Sequence, residues 1–192
     1  MSQKAITINT PASSAAHITA EDDAFIYDSI FAGASGILGQ LTCTKINDNS
    51  VRLSNGGVSN KGYIARIPAD GPETLTVTGG SYGASRCDLV VSEFTKGSAA
   101  TADSHVFKII TGTAGSTNPP SLTTSDLLYS GDVNQIELFR IVLNGTEIES
   151  VTKTAPDLPA AQNSREIVGR SFFSGASEPS GAQNGDVWFV TE

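Results

Sequence analysis

Residues 136–151 read Ile-Glu-Leu-Phe-Arg-Ile-Val-Leu-Asn-Gly-Thr-Glu-Ile-Glu-Ser-Val. The run Ile136–Leu143 is apolar almost throughout, which marks a central strand covered on both faces. Asn144-Gly145 follows, and Thr146–Val151 resumes a strand pattern. Asn-Gly between two such runs predicts a type I′ hairpin turn, because both residues tolerate positive φ.

The same grammar extends outward. Leu89–Phe94 and Val106–Ile110 are two strong strands predicted to pair as a hairpin across the polar loop Gly97–Asp103. Gly112–Ser121 is a long polar loop, and Thr124–Tyr129 reads as one helical turn or an edge segment. Upstream, Val51 and Leu53 alternate with polar neighbours before Asn55-Gly56-Gly57 turns the chain. Tyr63–Ile67 is a strand stopped by Pro68. Leu75 and Val77 share one face of another strand, and 79–83 forms a wide glycine-rich loop. One helix precedes all of this. Thr19 caps it, Glu21, Asp22 and Asp23 suit its positive end, and Phe25, Ile26, Ile30 and Phe31 give it an apolar face.

These elements predict a mainly β protein. The fold expected is an antiparallel β-sandwich or barrel over about 40–153, with one short N-terminal helix against it and an extended C-terminal tail. Residues 1–18 read as an N-terminal arm, 19–153 as the helix and β-domain, and 154–192 as a linker and assembly segment. The tail carries Trp188-Phe189, which so short a stretch cannot bury by itself.

The 192 residues include 17% charged side chains, 19 Gly and 8 Pro, and the charge fraction lies below the ~25% usual for soluble domains. Net charge is −8, which opposes non-specific nucleic-acid or anionic-membrane binding. No apolar stretch is long enough to span a bilayer, and the first residues lack the apolar core of a secretion signal, so no membrane insertion is expected. Cys43 and Cys87 do not make a disulfide framework and read as buried thiols.

Motifs for chemistry are missing. His17 and His105 have no partners at metal-ligand spacing, and His105 reads as solvent-facing, so no metal or cofactor is expected. Gly33-Ala34-Ser35-Gly36 is not a nucleophile elbow, and no Gly-rich stretch leads into Lys-Ser/Thr or a βαβ unit. The acidic cluster 21–23 is explained by its helix start. No catalytic residue is assigned and no enzyme is expected.

Gly62–Lys96 resembles phage tail proteins through Gly62, Leu75, Val77, Gly83, Arg86, Asp88, Leu89, Val90 and Val91. Glu21–Phe31 looks like the N-terminal helix of small tail or baseplate proteins from phages and prophages of Gram-positive bacteria, and Leu138–Leu143 fits their late core strand. Glu178-Pro179 with Asn184-Gly185-Asp186-Val187-Trp188-Phe189 resembles segments recurring in fibre and collar proteins. The resemblance implies a virion structural protein of the tail tip, baseplate or fibre base. It would be made in the host cytoplasm and would assemble with itself as a trimer or ring and with other virion proteins. Phe25, Phe31, Trp188 and Phe189 are the expected assembly contacts. Two alternatives are a module binding host cell-wall glycan through Tyr63, Tyr82 or Tyr129, with Trp188, and a capsid decoration or head-fibre protein. Arg86 and Asp88 lie two apart on one strand and so point the same way. They read either as an ion pair pinning the loop 79–85 or as two solvated edge charges.

Overall fold

A computed structural model of the chain describes residues 18–98, 100–158 and 177, together with the backbone of 172–175 and 187–190. The expected N-terminal arm therefore lies almost wholly outside the described residues, as does most of the C-terminal segment. The chain divides into two compact units, 1–158 and 159–192.

The first unit is mainly β. Its one described helix, α1 (Ala20–Ile30), carries the predicted start: Thr19 and Asp22 form a reciprocal capping box, which satisfies two helix-end donors at once. Ten strands follow: β1 (Gly36–Leu38), β2 (Cys43–Asn47), β3 (Ser50–Leu53), β4 (Gly56–Asn60), β5 (Tyr63–Ile67), β6 (Glu73–Thr76), β7 (Ser85–Thr95), β8 (Ser104–Ile110), β9 (Val133–Asn144) and β10 (Glu147–Lys153). They form antiparallel sheets ordered β1-β4-β5, β2-β3-β6 and β10-β9-β7-β8.

The four-stranded sheet and the β2-β3-β6 sheet face each other across the main core. Val51, Leu53, Leu75 and Val77 from one side meet Val90, Phe107, Phe139, Ile141 and Leu143 from the other. The edges of the two sheets draw together. β10 runs beside β2, with Lys45 Nζ donating to the Ile148 carbonyl at 2.8 Å, and β6 approaches β8. The arrangement is a sandwich curling toward a barrel. The β1-β4-β5 sheet joins the same core through Ile37, Val58 and Ile67.

Three local expectations change. The turn between β9 and β10 falls at Gly145-Thr146, because Asn144 still pairs with Glu147 and only Gly145 (φ 62°) has positive φ. A single positive φ at the first turn position is the II′ pattern, not I′. Tertiary contact seats this turn: the Gly145 N–H donates to the Ala84 carbonyl, and a Cβ at Gly80 would lie 1.9 Å from the Gly145 oxygen. The I′ hairpin is elsewhere, at Lys61-Gly62 between β4 and β5, where both residues have positive φ (51° and 79°).

Second, the strand with both faces most completely covered is β7, while β9 keeps Glu137 and Arg140 half-exposed as an ion pair at 2.9 Å. The register of β9 against β7 slips at Leu138, and the bulge lets the consecutive Leu138 and Phe139 both enter the core. Third, the expected linker is built into the domain as far as Leu158. The bulged Leu138 carbonyl accepts the Thr154 and Ala155 N–H groups, Ile37 and Pro156–Leu158 exchange backbone bonds, and Ala155 and Leu158 are buried.

The second unit contains β11 (Phe172–Gly175) and β12 (Val187–Val190), paired in parallel with Phe173 opposite Trp188. The side chains of Trp188 and Phe189 lie outside what is described.

Candidate functional site

Three places in the first unit gather polar or exposed groups worth testing for function. The first is at the start of β7. Arg86 and Asp88 point to the core side of the sheet and are almost completely shielded from solvent. Their pairing is bidentate, Nε to Oδ1 at 2.8 Å and Nη2 to Oδ2 at 2.9 Å. The remaining guanidinium donors reach the Gly79 and Thr78 carbonyls at 3.2 and 2.5 Å, and Asp88 accepts the Gly112 N–H at 2.8 Å. One pair thus holds two loops, 78–84 and 111–116, against the end of the sheet. Every charge is matched and none faces a cavity, so the arrangement is a buried tether.

The second lies about 20 Å away along β7, six residues on at a rise of ~3.3 Å each. Here the Asn60 and Asn134 amides bond at 2.6 Å, and Asn60 Nδ2 also reaches the Asn134 and Ser92 carbonyls. The Ser92 hydroxyl meets His105 Nε2 at 2.6 Å. Tyr63 stacks on Phe94 with ring centroids 3.8 Å apart, and Phe94 meets His105 edge-on. His105 is therefore half-buried rather than solvent-facing, and burial pulls its pKa down to about 4. A Ser–His contact invites a nucleophile reading, but Ser92 has no solvent exposure, so no substrate reaches its oxygen. This network was not anticipated; the one sequence signal for it is the Asn-Lys-Gly-Tyr hairpin that drives Asn60 inward.

Tyr63 is corrected as a glycan contact: it is buried, and its hydroxyl has no hydrogen-bond partner among the described residues. Tyr82 (98% exposed) and Tyr129 (82% exposed) are free, but the fold does not bring them together. Tyr82 tips the loop held by Arg86, whereas Tyr129 sits in the turn whose Leu127 carbonyl accepts Lys96 Nζ at the far end of β7. They cannot share one sugar.

The third place is the outer face of α1. The helix rests on the Lys61-Gly62 turn through Ala24, its one buried residue. Gly62 is required there, since a Cβ would lie 1.9 Å from the Ala24 carbonyl oxygen. The close seat turns most of the expected apolar face outward. Phe25, Ile26, Tyr27 and Ile30 are all more than a third exposed, as is Ile18 before the cap, and Phe31 is half-buried. Ile26 and Ile30, one turn apart, stand side by side on this face.

Among the described residues, no group of three or more His, Cys, Asp and Glu converges as metal ligands would. No helix among them is long and apolar enough to cross a membrane. Cys43 and Cys87 are free thiols; burial raises both, Cys43 to about 12. No protein-family model matches the chain, and no curated protein matches it at a significant level.

Proposed function

We propose that this chain is a non-enzymatic structural subunit of a phage particle, in the tail tip, baseplate or fibre base, assembling with copies of itself. The observation that carries the assembly part is the outward apolar face of α1. Ile26 and Ile30 form one exposed row along the helix, flanked by Phe25 on one side and Tyr27 on the other, which is more than scattered surface hydrophobics. A second copy is the occupant it fits best, because a helix face with one apolar row is self-complementary about a symmetry axis. The phage assignment is supported by the sequence resemblance and by a framework whose polar groups are used to hold loops.

Sedimentation velocity tests the assembly. The wild-type chain is expected to run as a trimer or larger ring, and Ile26→Asp with Ile30→Asp to run as a folded monomer. A wild-type monomer at roughly 100 μM, where even a weak contact of about 5.5 kcal/mol would be half formed, overturns it. Antibody labelling of intact particles tests the location, since label at the tail end is expected and label on the head favours a decoration protein. A second reading, binding of host cell-wall glycan, is favoured by one observation: Tyr82 is fully presented on a loop tethered at both ends. Glycan binding abolished by Tyr82→Ala would support it.

A further inference from the structure

The Lys61-Gly62 turn, the segment 124–126 and the start of β9 share a polar pocket of about 420 Å³, lined by Ser35, Lys61, Thr124, Asp126, Asn134 and Gln135. That volume is in the range of small-molecule sites. The fold builds its walls. Asn134 and Gln135 are buried, and their side-chain oxygens accept the Ser125 and Thr123 N–H groups at 3.0 and 2.8 Å. The Gln135 N–H returns a bond to the Thr123 carbonyl at 2.8 Å. The Lys61 N–H donates to the Ser35 hydroxyl at 2.9 Å, which fixes the turn. The pocket is therefore formed before anything binds, and a ligand need not spend affinity on ordering it.

Four of the lining side chains keep hydrogen-bonding capacity that the fold leaves unused. Lys61 Nζ makes one long bond, to the Gly33 carbonyl at 3.5 Å, and has two further donors. The Asp126 carboxylate accepts only the Leu128 N–H, on Oδ1 at 3.3 Å, so Oδ2 is open. Lys61 and Asp126 line the same pocket, yet neither takes part in an ion pair among the described residues. The Thr124 hydroxyl has no partner among the described residues, and the Ser35 hydroxyl, already an acceptor, still has its own proton to donate.

This set of donors and acceptors selects a ligand class. An anion is repelled by Asp126 and a cation by Lys61. An apolar ligand would strand the donors and acceptors it covers. A hydroxyl both donates and accepts, so two neighbouring hydroxyls can donate to Asp126 and accept from Lys61, each in a charge-assisted bond. We propose that this pocket binds a neutral hexose through two adjacent hydroxyls held by Lys61 Nζ and the Asp126 carboxylate, with Thr124 and Ser35 meeting a third. The site is separate from Tyr82 and independent of any place in a virion.

Amide chemical shifts of the full chain, followed by NMR as galactose, mannose, glucose or N-acetylglucosamine is added, test it. At least one sugar is expected to move the amides of Ser35, Lys61 and Thr124–Asp126 together, with a Kd of roughly 1–10 mM. Asp126→Asn and Lys61→Asn are each expected to weaken that binding by about fivefold or more. The rest of the amide spectrum should stay in place in both, because these side chains carry few bonds of the fold. Tyr82→Ala should bind as the wild type does. No shift at these amides from any of the sugars at roughly 100 mM overturns the proposal, as does undiminished binding by both variants. Shifts confined to 79–84 and lost in Tyr82→Ala would overturn this pocket while leaving glycan binding through Tyr82 intact. Shifts at 124–126 from glycine betaine but from no sugar would make the ligand a zwitterion and likewise overturn it.

Discussion

The two ends of β7 are closed by different chemistry. At Ser85–Asp88 a bidentate Arg–carboxylate pair, shielded from solvent, grips three backbone groups on two loops. On the core-facing side at Ser92 and Phe94 the buried closing groups are neutral: two amides, a hydroxyl and an uncharged imidazole, while Glu93 beside them pairs with Lys108 at 2.5 Å. Both ends must satisfy buried polar groups where strands leave the sheet, and both do so by reaching for backbone carbonyls. They differ in what happens when one partner is lost. Removing half of a buried ion pair strands a full charge, whereas removing one amide strands only a dipole.

The comparison breaks most visibly at Asp88. Asp88→Ala should cost roughly 3–5 kcal/mol, because it leaves the Arg86 guanidinium buried without its counter-charge. A midpoint shift in urea unfolding measures this, and a loss below about 1 kcal/mol would mean that the pair behaves as exposed charges do. At the neutral end, Asn134→Ala should cost about 1–3 kcal/mol by stranding the Asn60 amide, again by urea midpoint. Equal losses at the two positions would erase the distinction.

Acid sharpens it further. Burial lowers the folded-state pKa of His105 to about 4, from a usual 6.5. The unfolded chain thus binds the extra proton first, so the stabilising contribution is complete above pH 6.5 and is lost as pH falls toward 4. Its full size is bounded near 3 kcal/mol at ~1.4 kcal/mol per pH unit. Thermal melts from pH 7 to 4 should show His105→Gln falling less steeply than wild type; parallel slopes would remove the imidazole from the account. The smallest effect is expected at the tip of the charge-held loop. Tyr82→Ala should alter stability by less than about 0.5 kcal/mol, checked by melting temperature, because the tether and not the tyrosine fixes the loop.

Much of the architecture was legible in the sequence because it rests on local rules. The alternation in Val51–Leu53, the hairpin of Leu89–Phe94 with Val106–Ile110, and the capped helix at Thr19 follow from side-chain period and backbone preference. Arg86 and Asp88 were found because two residues apart on a strand share a face. The amide network was not legible: Asn60 and Asn134 meet only because β4 packs across β7 and β9, and an asparagine in sequence reads as a turn residue. Tyr63 shows the same limit from the other side, since a tyrosine's exposure is set by what packs over it.

The amino-acid order by itself determined that the chain is mainly β, where most strands lie, that one acidic-capped helix precedes them, and which residues share a strand face. Those depend on interactions within a few residues. Tertiary structure decided which loops Arg86 holds, that Gly62 carries the helix, that residues 154–158 belong to the domain, and that α1 turns Ile26 and Ile30 outward. Each of these is a meeting of segments far apart in the chain, fixed by how closely two backbones approach and which polar groups are left to be matched.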